Sequence, residues 1–338
     1  MTLPINPYDS FEKSAFWSKT ISRKPLGSIQ ITNEFDSFKI SQNDKIMSLG
    51  SCFAQHISNY LQSFSYRYLL YESGYNQFSA KYGNVYTVDQ GLQLLNRAIN
   101  LDLSGEVWTH YKNKYFVDSF RPRVFPYGFS TENEVISERS NHLVQTIKAF
   151  KDCDVLIYTL GLTEGWKAKA TGQIFQIAPG VDGGSFDPDV HESFDANLKQ
   201  VVDNLQEFVT NLKSINSKAK VIFTVSPVHL AATHQNKNVV QASFESKMKL
   251  RLAVSEIQKN NKNIYYFPSL EYIFALSQSG KLYENDRRDV HELGVKLVMK
   301  MFTKSYLNES SILVEKSYSR QDKLNREVIC DEDVLLRE

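Results

Sequence analysis

The chain has 338 residues, of which 42% are hydrophobic and 23% are charged. These proportions are ordinary for a globular protein, so a disordered or fibrous chain is excluded. Lys and Arg total 39 and Asp and Glu total 38, which gives a formal net charge of +1. A charge so balanced argues against a nucleic-acid-binding protein, which needs a basic excess. Aromatic residues make up 12%, which suits a large core or a sugar-facing cleft.

The cysteines, Cys52, Cys153 and Cys330, are odd in number and show no CxxC spacing. They therefore indicate neither a disulfide framework nor a zinc site. Residues 1–25 lack the apolar stretch of a signal peptide. No window approaches the roughly 18 consecutive apolar residues of a membrane span. We therefore predict a reduced, cytoplasmic protein without a membrane span.

Short apolar runs alternate with amphipathic stretches along most of the chain. The runs predict buried strands at 45–49, 154–160, 221–226 and 264–267. The stretches, in which apolar residues recur every three or four positions, predict helices at 52–64, 140–150, 196–215, 239–258 and 292–304. Such alternation predicts an α/β fold with a parallel sheet covered by helices on both faces. Ligands of such sheets bind at the carboxyl ends of the strands.

Two regions depart from this alternation. Residues 65–130 are rich in Tyr, Phe, Gly and Pro and show little helical period, which predicts a loop-rich insertion. Within it, 107–118 predicts a β-hairpin with its turn at Asn113 and Lys114. The tail, 306–338, is polar and charged, and we expect it to be peripheral. The main domain is therefore expected to span 1–305.

Ser51 stands between the first predicted strand and its helix, directly after Gly50. The N–H groups of a first helical turn lack intrahelical acceptors and lie at the positive end of the helix dipole. A serine hydroxyl there is in surroundings that stabilise an alkoxide or an oxyanion. The same position is also that of an ordinary helix N-cap, which serine often fills. Cys52 is a second candidate nucleophile, although a cysteine in an apolar helix more often serves packing.

A serine nucleophile needs a general base, and the chain has seven histidines. His291 is the best placed, because it opens the last predicted helix and its loop can return to the strand ends. Asp286 and Asp289 precede it and are candidates to orient its imidazole. The alternative is that this charged loop is a solvated helix cap.

Residues 50–54 read GSCFA, and further blocks follow a family pattern in order. They are AFW at 15–17, YGNVYT at 82–87, LGLTEGW at 160–166, TVSPV at 224–228, YYFPSLE at 265–271 and the loop 286–291. Over residues 10–305 the chain resembles the GSCFA family, a branch similar to the SGNH/GDSL hydrolases. The resemblance implies a three-layer α/β/α domain with a mostly parallel, flavodoxin-like sheet.

The resemblance also implies roles for individual residues. Ser51 matches the nucleophile of the first block, and His291 matches the base of the last. Gly83, which precedes Asn84, resembles the glycine whose backbone N–H helps to form the oxyanion hole. Gly161 falls where SGNH enzymes carry the glycine of Gly-x-Asn.

Two positions depart from the family pattern. The asparagine of Gly-x-Asn is replaced by Thr163, whose hydroxyl can donate one hydrogen bond, and Asn84 is the alternative donor. The acid that usually precedes the base by three residues is replaced by Arg288. The site is therefore expected to work as a Ser–His dyad, or with Asp286 or Asp289 as its third member.

Three further residues are candidates for substrate contact. Glu164 and Trp166 follow Gly161 closely, although Trp166 could equally be a lid on the core. His229 stands after Ser-Pro-Val, where we expect a proline, and either lines the cleft or has no role there.

The predicted function is hydrolysis of a small O-acyl ester, such as an O-acetyl group, on a carbohydrate. Ser51 would attack the acyl carbon and His291 would carry the proton. The N–H groups of Ser51 and Gly83, with Thr163 or Asn84, would hold the oxyanion. The mechanism needs no metal and no dissociable cofactor, and its partner is a small-molecule or glycan ester.

Three alternatives remain open at this point. One is an O-acyltransferase that uses the same acyl-enzyme with a sugar hydroxyl in place of water. Another is a binding or structural module on an inactive hydrolase scaffold, which the two departures keep open. The third is a cysteine enzyme built on Cys52.

Overall fold

The computed structural model describes residues 6–29, 31, 38–64, 66–72, 74, 77–110, 115–125, 127–277, 281–307 and 328–336, with 334–336 described by their backbone alone. The predicted turn at Asn113 and Lys114 lies outside these residues, as do 308–327 of the tail.

The helices of the described residues are α1 (Trp17–Thr20), α2 (Cys52–Ser63), α3 (Val88–Asn100), α4 (Glu132–Asp152), α5 (Leu198–Ile215), α6 (Val239–Asn260), α7 (Ser269–Leu276) and α8 (Glu292–Tyr306). The strands are β1 (Ile46–Gly50), β2 (Val107–Thr109), β3 (Phe116–Asp118), β4 (Val155–Leu160), β5 (Glu164–Ala168), β6 (Ile174–Phe175), β7 (His191–Asp195), β8 (Lys220–Val225) and β9 (Ile264–Phe267). Within the described ranges, none of the helices combines the length and apolarity needed to cross a bilayer.

A parallel sheet in the order β1-β4-β8-β9 forms the centre of the molecule, and each of these strands was predicted. Gly50 pairs with Thr159, so the carboxyl ends of β1 and β4 lie at the same edge. Every residue of β4 is buried. A strand covered on both faces needs a continuous apolar run and not an alternating one. An isolated parallel bridge joins Ile46 to Tyr68 and extends the sheet beyond β1.

Helices cover both faces of this sheet. Tyr158 and Phe223 belong to an apolar cluster with side chains of α3, α5 and α6. Their neighbours Ile157 and Ile222 belong to a second cluster, with side chains of α2, α7 and α8. Because successive strand residues point to opposite faces, the two clusters lie on either side of the sheet. The predicted three-layer α/β/α fold is confirmed.

The insertion contains the predicted hairpin and a helix that was not predicted. β2 and β3 pair antiparallel, with Trp108 opposite Val117, which confirms the hairpin. The expectation of little helix was wrong, because α3 lies here with Thr87 as its N-cap. Gly91 interrupts the apolar pattern of α3, but a side chain there would collide with Tyr158. Packing on the sheet, more than helix propensity, therefore decides this helix.

A second antiparallel sheet, in the order β6-β5-β7, follows β4 and was not predicted. Its strands are short, and most residues of β5 and β7 are only partly buried. Such strands lack both the continuous run and the regular alternation that identify strands in a sequence.

The described end of the chain, residues 328–333, is called the C-terminal segment below. It is not peripheral, contrary to the expectation from its charge, because Cys330 and Asp331 are both buried. Its acidic groups bind the amide of Asn84 and the guanidinium groups of Arg123 and Arg288. Pairing of this kind allows charged residues to be buried.

Candidate active site

Ser51 lies at the junction of β1 and α2, at the carboxyl edge of the parallel sheet. Gly50 before it has φ +139°, and a side chain there would collide with the carbonyl of Thr159. Glycine permits both the conformation and the close approach. The Ser51 N–H donates to Thr159 O at 3.1 Å, which fixes the residue against β4. Only 3% of Ser51 is exposed.

The hydroxyl of Ser51 has no hydrogen-bond partner within the described part of the chain. It also makes no capping bond to α2, so the N-cap interpretation does not account for it. A buried hydroxyl that lacks a partner costs about 1–3 kcal/mol. A catalytic role is one of the reasons for which native proteins retain such groups.

Gly161 packs directly against Ser51. A Cβ atom added to Gly161 would lie 3.0 Å from Ser51 Cβ. The Gly161 N–H donates to Tyr86 O at 3.0 Å, and its carbonyl accepts a bond from Lys247 Nζ at 2.7 Å. The N–H groups of Ser51 and Gly161 are thus both occupied, so neither is open to an oxyanion here. Burial lowers the pKa of Lys247 to about 8.

Asn84 brings a side-chain amide to the same edge. Its Oδ1 accepts a bond from Gln55 Nε2 at 2.8 Å, and Gln55 belongs to α2, the helix that Ser51 precedes. The Nδ2 of Asn84 donates to Ile329 O at 2.9 Å and to Asp331 Oδ2 at 2.8 Å. Gly83, directly before Asn84, has φ +70°, a left-handed conformation that glycine adopts without strain.

Thr163 does not direct its hydroxyl toward this site. Its Oγ1 donates to Asp195 Oδ1 at 2.6 Å, and its N–H donates to Ser246 Oγ at 2.8 Å. Asp195 ends β7, which pairs with β5 immediately after Thr163, so the threonine fastens the second sheet. Of the two donors considered for the Gly-x-Asn position, Asn84 is the one whose contacts reach α2.

His291 is the N-cap of α8. Its Nδ1 accepts a bond from Leu293 N at 3.1 Å, and this bond assigns the proton of the neutral ring to Nε2. Asp286 accepts bonds from the N–H groups of Arg288 and Asp289, and Asp289 binds Arg288 Nη1 at 2.9 Å. Among the described residues, no hydrogen bond or ion pair joins either carboxylate to the imidazole. The predicted third member of a triad is therefore not in place.

The residues that precede α2 and α8 lie at the same end of the sheet. Tyr60, late in α2, bonds to Thr303, late in α8, with a distance of 2.7 Å between their hydroxyl oxygens. At the opposite ends of these helices, Arg288 contacts the Cys330 thiol, which itself lies against Cys52. The two helices therefore run side by side in the same direction. These contacts bring the loop before His291 close to the start of α2, and no hydrogen bond joins the side chains of Ser51 and His291.

A cavity of about 320 Å³ adjoins the residues next to Gly161 and Asn84, and Ser51 and His291 are not among the residues that line it. Tyr86, Leu162 and Asp331 line it on the side of Gly161 and Asn84. Its other walls are mainly aromatic and aliphatic, and they include Trp166, Phe175, Ile177, Val181 and Leu230. The predicted substrate-contacting residues Glu164 and Trp166 both face this space.

The cavity also contains an imidazole that the sequence did not single out. His234 Nδ1 lies 2.9 Å from Glu164 Oε2, and Glu164 also accepts a bond from Thr233 Oγ1 at 2.9 Å. Because the partners are distant in sequence, no local pattern could reveal the pair. Across the described ranges, no three His, Cys, Asp or Glu side chains are grouped so that they could hold a metal ion.

His229 is placed elsewhere. It stacks on Phe244 and Tyr283, and its Nδ1 lies 3.0 Å from Ser243 Oγ. Burial lowers the pKa of His229 to about 4. It is not among the residues that line the 320 Å³ cavity, so a contact with substrate has no support here.

Comparison with known proteins identifies the family. A sequence model of the GSCFA family matches residues 45–302, well over half of the chain. The chain belongs to the GSCFA family. A solved structure of an acetyl xylan esterase from the rumen bacterium Butyrivibrio proteoclasticus is similar over 68% of this chain and 56% of its own, at 11% identity and a TM-score of 0.27. This GSCFA chain thus spans little more than half of that protein's length. No significant match was found among curated proteins.

In this GSCFA protein the C-terminal segment, outside the matched residues 45–302, contacts the loop before His291. Arg288, three residues before His291, binds Glu332 and Asp333, each at 3.1 Å. Contact with Cys330 and burial raise the pKa of the Cys52 thiol well above its usual value. No local sequence pattern predicts the contact between Cys52 and Cys330. The available signals were the unexpected Arg288 and the acidic run that follows Cys330.

Proposed function

We propose that this GSCFA protein is a serine hydrolase for small O-acyl esters, with Ser51 as the nucleophile. The Ser51 hydroxyl is the observation that carries the proposal. It is buried at the carboxyl edge of a parallel sheet, at the start of α2, and has no partner among the described residues. Ser51 lies at the N-terminus of α2, which is the positive end of the helix dipole. Together with the Asn84 amide, this end of the helix can stabilise a negative oxygen that forms on the substrate.

The reaction divides into two halves. Ser51 Oγ adds to the acyl carbon while its proton passes to His291, and Asn84 Nδ2 holds the resulting oxyanion. The bond from the acyl carbon to the alcohol oxygen then breaks, and the imidazolium gives its proton to that oxygen. A water molecule attacks the acyl-serine in the same way, which releases the carboxylic acid and restores Ser51.

The histidine must change its hydrogen bonding before it can act. With Nδ1 committed to Leu293 N, Nε2 carries the ring proton and has no lone pair to accept another. For Nε2 to receive the serine proton, the ring proton of His291 must lie on Nδ1. The capping bond from Leu293 N to Nδ1 must then be lost. We therefore interpret this structure as a resting state of the proposed enzyme.

A carbohydrate ester is the substrate class that the cavity supports best. Its volume, about 320 Å³, lies near the lower end of ligand sites, which occupy roughly 300–1,000 Å³. Tyr86, Trp166 and Phe175 give it broad apolar walls, which suit the face of a sugar ring. Glu164 adds a carboxylate that can accept bonds from sugar hydroxyls.

His234 is the alternative base, because it already has the carboxylate partner that His291 lacks. General-base catalysis contributes about 10²–10⁴-fold to a rate. We expect His291→Ala to lower kcat for an aryl acetate by such a factor, with little change in KM. His234→Ala should change kcat much less. The reverse ranking would transfer the role of base to His234.

The nucleophile can be identified with a fluorophosphonate probe on the full chain, followed by peptide mass spectrometry. We expect the label on Ser51 in the wild type, no label in Ser51→Ala, and an unchanged label in Cys52→Ala. A label on Cys52, or no covalent adduct and no ester hydrolysis under any condition, would overturn the proposal. Transfer of the acyl group to an added sugar, in preference to water, would make the same site that of an acyltransferase.

A further inference from the structure

The C-terminal segment buries a carboxylate in the candidate active site. Asp331 is 3% exposed. Its Oδ2 accepts bonds from Asn84 Nδ2 at 2.8 Å and from Tyr86 Oη at 3.2 Å. Its Oδ1 lies 3.4 Å from Arg123 Nη1. Both carboxylate oxygens therefore have donors, one of which is cationic.

The backbone of the same segment lies across the start of α2. Ile329 and Gln55 exchange two hydrogen bonds: the Ile329 N–H donates to Oε1 at 2.9 Å, and Nε2 donates to the Ile329 carbonyl at 2.8 Å. The next residue, Cys330, accepts a bond from Arg288 Nη2 at 3.3 Å. The segment thus extends from Gln55 to the loop before His291, and Cys330 lies against Cys52, the residue after Ser51.

Asp331 occupies a donor that the proposed mechanism requires. Asn84 Nδ2 is the amide that would hold the substrate's oxyanion, and in this structure it is bonded to Asp331 and Ile329. A carboxylate on these donors has the charge and shape of the acid that ester hydrolysis releases. An acyl group and Asp331 cannot use the same amide hydrogen, so their binding is mutually exclusive.

We propose that Asn84, Tyr86 and Arg123 form a binding site for a small carboxylate anion, and that the chain's own C-terminal segment fills it and closes access to Ser51. Displacement of the segment opens the site, and a free carboxylate competes with it. The identification of the competing ligand as the acid product of ester hydrolysis rests on the proposed function. The docking of the segment can be tested without it.

Alkylation of Cys330 measures this docking in the full-length protein. Cys330 is buried while the segment is docked and becomes reactive toward iodoacetamide when it leaves. Cys153 is buried elsewhere and is the internal reference. The Cys330 rate is divided by the rate of the same thiol in urea-unfolded protein. The ratio then reports the population of the open state.

Asp331→Asn is the decisive variant, and Asp333→Asn is its matched control on the same segment. An asparagine at position 331 would place N–H groups against the donors that now bind the carboxylate. Asp333, in contrast, is half exposed and makes one ion pair. Loss of a charge-assisted bond to a buried group changes an equilibrium by about tenfold or more. We expect Asp331→Asn to raise Cys330 alkylation by about that factor, and Asp333→Asn to change it by less than about twofold. Equal rates in the wild type and Asp331→Asn would refute the docking.

Sodium acetate tests the ligand class in the wild type, with sodium chloride at the same ionic strength as the control. We expect acetate to increase Cys330 alkylation and to leave Cys153 unchanged. Acetate that acts no differently from chloride would refute the carboxylate site.

Fluorophosphonate labelling of Ser51, followed in the same samples, separates this inference from the proposed function. A label that increases in parallel with Cys330 exposure supports both. If Cys330 responds to Asp331→Asn and to acetate while Ser51 is never labelled, the carboxylate site stands and the esterase proposal fails. If Ser51 is labelled at the same rate whether or not Cys330 is exposed, the segment does not close the site.

Discussion

Two buried charged clusters in this protein differ in how their carboxylates are held. The insertion cluster consists of Asp118, Arg121 and Arg139. Asp118 lies 3.2 Å from Arg121 Nε and 2.8 Å from Arg139 Nη2. Although burial alone would raise the pKa of Asp118, the two guanidinium charges hold it below its usual value. This cluster therefore favours the ionised carboxylate.

The site cluster consists of Lys247, Arg288, Asp331 and Glu332, and it shows the opposite balance. Burial raises the pKa of Glu332 to about 7, although Arg288 and Lys247 oppose the shift. Burial also raises the pKa of Asp331, despite its bonds to Asn84 and Tyr86. The cationic partners of this cluster do not fully offset the cost of burying its carboxylates.

The two sets of carboxylates lie in different parts of the fold. Asp118 belongs to the β2–β3 hairpin, whereas Asp331 and Glu332 belong to the C-terminal segment. On the docking proposed above, the insertion cluster is a permanent structural element and the site cluster is a separable contact.

The largest expected effect is on the insertion cluster. Asp118→Asn leaves two guanidinium groups buried without their shared carboxylate, a change that typically costs about 3–5 kcal/mol. We expect a decrease of that size in the free energy of unfolding, measured with urea. Glu256→Gln, in an exposed pair with Lys259, is the control and should cost less than about 1 kcal/mol.

The corresponding change of aspartate to asparagine in the site cluster tests the difference between the two clusters. Asp331→Asn should lower the free energy of global unfolding by only about 1.4 kcal/mol, the equivalent of the tenfold change in docking, because undocking lets Arg123 return to water. If Asp331→Asn destabilised the whole chain as much as Asp118→Asn, the C-terminal segment would be part of the core and the distinction would fail.

The next largest effect is expected from pH, which should change the docking of the C-terminal segment. The pKa of Glu332 is raised from 4.5 to about 7, so the docked segment holds its proton more tightly than the undocked one. Docking therefore has its full stability below pH 4.5 and weakens as the pH rises to about 7. Lys247, whose pKa is about 8, stays charged over most of that range, and so does Arg288.

Cys330 alkylation, corrected at each pH for the rate in the unfolded chain, measures this dependence. We expect protection of Cys330 to decrease between pH 4.5 and 7, and Glu332→Gln to flatten the profile. Protection that stays constant or increases over this range would contradict the raised pKa of Glu332.

The smallest effect is expected at the candidate nucleophile. Ser51→Ala removes a buried hydroxyl that has no partner in the described residues, so it should leave stability unchanged or increase it by up to about 1 kcal/mol. Ser48→Ala on β1, the strand that ends just before Ser51, is the control, because Ser48 Oγ is bonded to Tyr68 Oη at 2.5 Å. It should cost about 1–2 kcal/mol. A loss as large in Ser51→Ala would indicate a structural role for that hydroxyl.

Sequence reasoning worked best where one local signal decides the structure. The run 154–160 predicts β4 because a strand covered on both faces must be apolar throughout. The spacing in 196–215 predicts α5 because an amphipathic helix repeats every three to four residues.

Prediction from the sequence was less successful where contacts between residues distant in the chain decide the structure. Thr163 is a plausible oxyanion donor in sequence, but Asp195 takes its hydroxyl. Asp289 precedes His291 closely, but it binds Arg288. His234 carried no local signal, because its partner Glu164 comes from another part of the chain. In each case competing contacts determine which polar group is available, and such contacts are not encoded in the spacing of neighbours.

The sequence by itself determined the alternation of strands and helices, and hence the parallel sheet with Ser51 at its carboxyl edge, since these follow from local periodicity and from glycine. Only the tertiary structure decided that His291 caps its own helix, that Asn84 is the amide near Ser51, and that Asp331 is bound there. These depend on which donors and acceptors meet across the chain once it is folded. Buried polar groups take whichever partners lie within hydrogen-bond distance.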